Sequence, residues 1–284
     1  MKTIRLFLLT LAVSMISTGT SFAGQSLDDV LAAQDEAAQA RFQYRNPKET
    51  LEFFGIKPGM TVVEALPGGG WYSKILLPYL GSDGALIGVD YSIDMWPLFG
   101  GFATEEFIEK RKSWTETWAA DAAAWTDENG ASVSAATFST MPADAAGSAD
   151  AVLFIRALHN LSRFESDGEY MTKAIKAAHD VLKPGGIVGV VQHHGREDRP
   201  DDWANGSNGY LKKSAVIAAM EAGGFEYVGE SEVNANPKDE AGEGDFVWRL
   251  PPSLSGAGED EELKAKMTAI GESNRMTLKF KKPA

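Results

Sequence analysis

Glu64, Pro67, Gly68, Gly69 and Gly70 fall within seven residues, after the β-branched run Thr61-Val62-Val63 and before Trp71 and a stretch with apolar residues at mostly helical spacing. A strand that passes through glycines into a helix brings main-chain N–H groups close to a bound nucleoside or phosphate. Glycine has no Cβ to block that approach and tolerates positive φ. Asp90 ends the next apolar run, Leu86-Ile87-Gly88-Val89, 22 residues after Gly68. A carboxylate in that place can accept hydrogen bonds from two ribose hydroxyls. A tight strand-to-helix turn also needs glycine, so the loop gains weight only from the acid that ends the following strand.

Histidine supplies the other candidate chemistry. His159 follows the apolar run Ala151 to Ile155, and His193 and His194 follow Ile187 to Gln192. Both places are ends of expected strands, where a neutral imidazole can take a proton from an acceptor. Adjacent residues on a strand point to opposite faces, so the His193-His194 pair predicts no metal site. His179, beside Asp180 in a helical stretch, reads as structural. Cysteine is absent, which excludes thiolate catalysis, thiolate zinc sites and disulfides.

These residues need a scaffold that alternates strands and helices. Asn46-Pro47-Lys48-Glu49 is a helix start, with Asn as cap and Pro at the first position. Strands are expected over Thr61–Ala65, Leu86–Asp90, Ser132–Phe138, Ala151–Arg156, Ile187–Gln192, Phe225–Val233 and Met276–Phe280. Helices lie between them, notably Tyr170–Leu182 and Lys213–Ala222, the latter closed by Gly223-Gly224. The pattern predicts an α/β fold with a mostly parallel seven-stranded sheet and helices on both faces. An N-terminal helix is expected over 24–45 and one elaborated domain over 46–284. Two insertions, near 96–129 and 236–274, could cap a pocket; the first holds four of the seven tryptophans.

The segment Val62-Val63-Glu64-Ala65-Leu66-Pro67-Gly68-Gly69-Gly70 resembles the first motif of class I S-adenosylmethionine (SAM) dependent methyltransferases, acid-x-Gly-x-Gly-x-Gly, with Glu64 as the acid. Asp90 resembles the acid that ends their second strand, and Leu182-Lys183-Pro184-Gly185-Gly186 their late turn. The Glu-Ala-x-Pro-Gly-Gly-Gly-Trp-Tyr loop and the terminal strand Met276–Phe280 are also similar to a group of exported predicted methyltransferases. The resemblance implies a Rossmann-like fold, SAM as cofactor and methyl transfer to a small molecule. It implies that Pro67, Gly68, Gly69 and Gly70 line the methionine and ribose portion and that Glu64 organises the loop or meets the ligand amino group. Asp90 would hold the ribose, Ser139, Thr140 and Met141 would border the adenine, and Arg156 stands where the fourth strand ends. Trp71 could meet the sulfonium through cation–π contact, or pack on the sheet. Leu66 departs from the pattern at its first glycine, and Ser139 and Thr140 replace a frequent adenine-reading acid. A ligand-binding protein without catalysis, and an NAD-dependent oxidoreductase, are alternatives on similar motifs.

The remaining composition narrows partners and compartment. Asp plus Glu number 40 against 27 Lys plus Arg, a net charge of −13, which opposes tracking of nucleic-acid phosphates. Lys2 and Arg5 precede the apolar run Leu6–Ile16, and Ser21-Phe22-Ala23 has the small-x-small form of a cleavage point. Residues 1–23 are therefore expected to be a secretory signal peptide, with the mature chain periplasmic or secreted and without stable membrane insertion.

Overall fold

The computed structural model describes residues 25–284, so the expected signal peptide over 1–23 lies outside the described residues. The sheet is built from β1 (Thr61–Ala65), β2 (Ala85–Asp90), β3 (Ser132–Thr137), β4 (Ala149–Ile155), β5 (Leu182–Gly195), β6 (Leu211–Lys212), β7 (Glu226–Ser231) and β8 (Arg275–Lys281). Seven strands lie in the order β3-β2-β1-β4-β5-β8-β7, and the two-residue β6 pairs with β5 off that path. Strands β1 to β5 are mutually parallel, while β8 runs antiparallel between β5 and β7. The fold is thus α/β and Rossmann-like, with a terminal antiparallel strand and one short strand more than expected.

Alternation along each strand sends side chains to two separate cores. Val63 and Ala65 of β1 join Val89, Val152, Phe154 and Val190 in one core, covered by the helices Leu158–Arg163, Tyr170–Val181 and Lys213–Ala222. Val62, Leu86, Leu153 and Val191 face the other, under the helices Leu27–Ala32, Pro47–Phe54, Ser73–Leu80 and Trp114–Ala123. Lys183-Pro184-Gly185-Gly186 sits inside β5 as an irregularity: Ala149 pairs with Leu182 but Ala151 with Ile187.

Two expectations are corrected. The N-terminal helix over 24–45 is three short helices, Leu27–Ala32, Glu36–Gln39 and Phe42–Arg45. Asp35 restarts the chain by accepting the Ala38 N–H at 2.7 Å, and Asn46, at φ 39°, ends the third. The first insertion adds no residue to the wall of the cavity beside the loop after β1; its Arg111 covers Asp90 instead. Trp96, Trp114 and Trp118 are buried, and Trp118 packs so closely on β2 that a Cβ at Gly88 would overlap its ring. Burial of that apolar area drives the insertion onto the sheet instead of over a cavity. The second insertion does reach the cavity, through Val247 to Ser253.

Candidate active site

The loop after β1 is shaped by left-handed backbone at alternate positions: φ is 55° at Leu66, 55° at Gly68 and 76° at Gly70. The Leu66 N–H donates to Val89 O at 2.7 Å and the Gly70 N–H to Pro67 O at 2.9 Å, which closes the turn. Leu66 thus keeps a backbone form suited to glycine although it carries a side chain, at a cost of about 1–2 kcal/mol. The three glycines are not equivalent. A Cβ at Gly69 would meet nothing within 4 Å, whereas one at Gly70 would overlap the Trp125 ring. Glu64 is buried, and its carboxylate accepts a hydrogen bond from Ser73 Oγ at 2.6 Å. Burial pushes its carboxyl up to about 7 against the opposing pull of Ser73 and Arg156.

Gly68 and Gly69 open on a cavity of about 410 Å³ at the carboxyl edge of β1, β4 and β5, a volume within the range of small-molecule sites. Its wall carries Pro67, Trp71, Arg156, His159 and His193, all expected site residues. It also carries Arg41, Arg45 and Arg275, which the motifs did not indicate. Glu272 ties these three together, bonding Arg41, Arg45 and Arg275. Burial alone would raise its carboxyl, but Arg275, Arg45 and Arg41 outweigh that and hold it at about 2. The Arg45 guanidinium lies 4.5 Å over the Trp71 ring. That places Trp71 beside the cavity with an arginine already on its face.

Arg156 follows β4 with φ at 57°. Its main chain is anchored by an N–H donated to Val191 O at 2.6 Å. Burial, together with Arg45 and Arg275, pulls its guanidinium down to about 9. His159 and His193 line the same cavity, with ring centroids 5.4 Å apart. His159 Nδ1 lies 3.4 Å from Gln192 Oε1, and His193 Nδ1 lies 2.6 Å from Ser273 Oγ. Burial lowers His159 to about 4 and His193 well below its usual range, so both imidazoles are neutral near pH 7.

Other expected residues lie elsewhere. His194 is outside the cavity, its side chain on the far face of β5 as strand geometry dictates. Asp90 is buried at the end of β2 and paired with Arg111 from the helix Glu105–Lys112. The Arg111 guanidinium is stacked 4.5 Å from the Trp96 ring. Burial raises the Asp90 carboxyl, and Arg111 opposes it. Thr137 Oγ1 bonds Ser139 Oγ at 3.0 Å and Thr140 Oγ1 at 2.9 Å. Ser139 and Met141 line a separate cavity of about 730 Å³.

Several solved structures share this fold. The [4+2]-cyclase SpnF has a TM-score of 0.50 at 16% identity, over 84% of this chain and 80% of that one. A chain in the complex between the Haloferax volcanii Trm112 methyltransferase activator and a candidate methyltransferase gives 0.51 at 16%, over 90% and 96%. A SAM-dependent methyltransferase from Aquifex aeolicus gives 0.46 at 17%, over 74% and 94%. No protein-family model matches the sequence, and no curated protein matches it. The chain thus shares its α/β, Rossmann-like fold with SpnF and with the Haloferax volcanii chain.

Proposed function

We propose that the chain is a SAM-dependent methyltransferase acting on a small molecule. One observation carries this reading: the left-handed loop Leu66–Gly70 presents Gly68 and Gly69, without side chains, to a cavity that also holds two neutral imidazoles. SAM supplies a methyl group on a sulfonium sulfur. Gly68 and Gly69 fit its methionine portion, since open space faces Gly69, and Asp90 fits the ribose once Arg111 yields the carboxylate. The loop leaves space for that portion, and Asp90 reaches the ribose only if its pair with Arg111 opens. Ser139, Thr140 and Met141 remain proposed for the adenine side.

His159 and His193 are the proton acceptors of this scheme, and His194 is not needed for it. A neutral imidazole of low basicity takes a proton late, as the acceptor heteroatom loses its electron density, so positioning contributes more than base strength. Gln192 and Ser273 hold the two rings through their Nδ1 atoms. Calorimetry with SAM and with its demethylated product S-adenosylhomocysteine (SAH) tests the reading, using the Gly69→Val variant. Gly69 has neither a left-handed φ nor a neighbour within 4 Å. The variant should therefore melt like the wild type yet lose SAH binding. Equal binding by both proteins removes the loop from the site.

The Asp90–Arg111 pair favours one second reading, a ligand-binding protein on this fold without methyl transfer. Transfer of labelled methyl from SAM separates the two, and a melting temperature raised by NAD instead would point to an oxidoreductase. We also propose that residues 1–23 direct export; the mass of the chain recovered from the periplasm should then begin at Gly24.

A further inference from the structure

We propose that the methyl acceptor is a compact dianion, a phosphate ester or a dicarboxylate, seated among Arg41, Arg45, Arg156 and Arg275; this rests on the methyl-transfer reading above. Four guanidinium groups line one cavity, and Glu272 pairs with three of them, Arg41, Arg45 and Arg275. With Glu272 counted, the arginines of this wall keep an excess of three positive charges in a chain whose net charge is −13, and Glu64, its carboxyl pushed up to about 7, offsets Arg156 from beside the wall. Such a concentration against the sign of the whole molecule focuses potential on one spot and draws in anions.

The charge is not balanced internally. Glu272 spends Oε1 on Arg41 and Arg45 and Oε2 on Arg45 and Arg275, so it has nothing left for Arg156. Among the described residues, Arg156 has no side-chain ion pair or hydrogen bond, yet the chain accepts a left-handed φ there. Arg275 is 4% exposed, and its buried Nε has no partner. A buried donor without an acceptor, as at Arg275 Nε, is costly, and the half-buried Arg156 lines the cavity with its guanidinium unpaired. Guanidinium forks match the paired oxygens of carboxylates and phosphates.

SAM brings one carboxylate against an ammonium and a sulfonium, so its binding removes none of the positive excess. A dianion offsets that excess better than a monoanion does, and a neutral or cationic acceptor does not offset it at all. Trp248, Leu250, Pro251 and Pro252 close the same cavity with apolar surface, so the anionic head has room for a short apolar body behind it.

Calorimetry on the full chain tests this, with malonate, inorganic phosphate and acetate at constant ionic strength and SAH in parallel. Malonate and phosphate should bind at least tenfold more tightly than acetate, and saturating malonate should leave SAH affinity unchanged. Arg156→Met should weaken malonate at least tenfold, and should shift SAH at least fivefold less. Arg41→Gln, at a half-buried position, provides the same comparison should Arg156→Met fail to fold. Equal binding of malonate and acetate overturns the proposal. So does competition between malonate and SAH, which would give the arginines to the methionine carboxylate. Malonate binding without any SAH binding overturns the assignment to an acceptor by removing the methyl-transfer reading on which it rests.

Discussion

Replacing Leu66 by Ala and by Gly measures the backbone form on which the loop depends. Both variants delete the same half-buried side chain, which packs on the core containing Val63 and Val89. Each should lose about 1–2 kcal/mol for it, below the 2–5 kcal/mol of a fully buried leucine. Their difference isolates φ. At an ordinary site Ala is the more stable by about 0.4–1 kcal/mol, because Gly gains more freedom on unfolding. At the φ of 55° held by Leu66, a Cβ costs about 1–2 kcal/mol. The order therefore inverts, with Leu66→Gly more stable than Leu66→Ala by about 0.5–1 kcal/mol. Urea unfolding followed by circular dichroism resolves that gap as a shift in midpoint at constant slope. An Ala variant as stable as the Gly variant, or more so, refutes the left-handed loop.

Further outcomes follow from the same geometry. Glu64 has a folded-state carboxyl near 7 against 4.5 for the free group, so the folded state holds the extra proton between those values. Stability should therefore fall as pH rises from about 4.5 to 7, by at most about 3 kcal/mol, and Glu64→Gln should flatten that slope; an unchanged slope counts against a buried Glu64. Arg111→Met frees Asp90, and an ion pair of about 0.5–1 kcal/mol converts to a roughly two- to fivefold gain in SAH affinity. Weaker binding by that variant in calorimetry would mean that Arg111 itself belongs to the nucleoside site. His159, lowered to about 4, should show no protonation step by NMR between pH 5.5 and 8 in the free protein, and a step in that interval contradicts its burial.

The sheet was legible because its strands are short β-branched or apolar runs bounded by Gly and Pro, and the loop because glycines follow an acid-bearing strand. Local pattern reached no further. Arg41 and Arg45 lie one helical turn apart, a signal that they share a face, but nothing in sequence ties them to Glu272 and Arg275, some 230 positions on. Their meeting depends on β8 inserting between β5 and β7. Arg111 was equally hidden, because the pairing with Asp90 needs the insertion folded back on β2. The N-terminal segment read as one helix since its apolar spacing is helical, whereas the Asp35 cap divides it. The adjacent histidines separated onto opposite faces as strand geometry requires.

Gly68, Gly69 and Asp90 are proposed together as a SAM site that opens on the arginine-lined cavity. A crystal structure of the full chain with SAH tests it most directly. The account predicts the homocysteine portion against Gly68 and Gly69, the ribose hydroxyls on Asp90, and Arg111 withdrawn from that carboxylate. SAH bound away from the loop, or Arg111 still paired with Asp90 while SAH occupies the cavity, contradicts it.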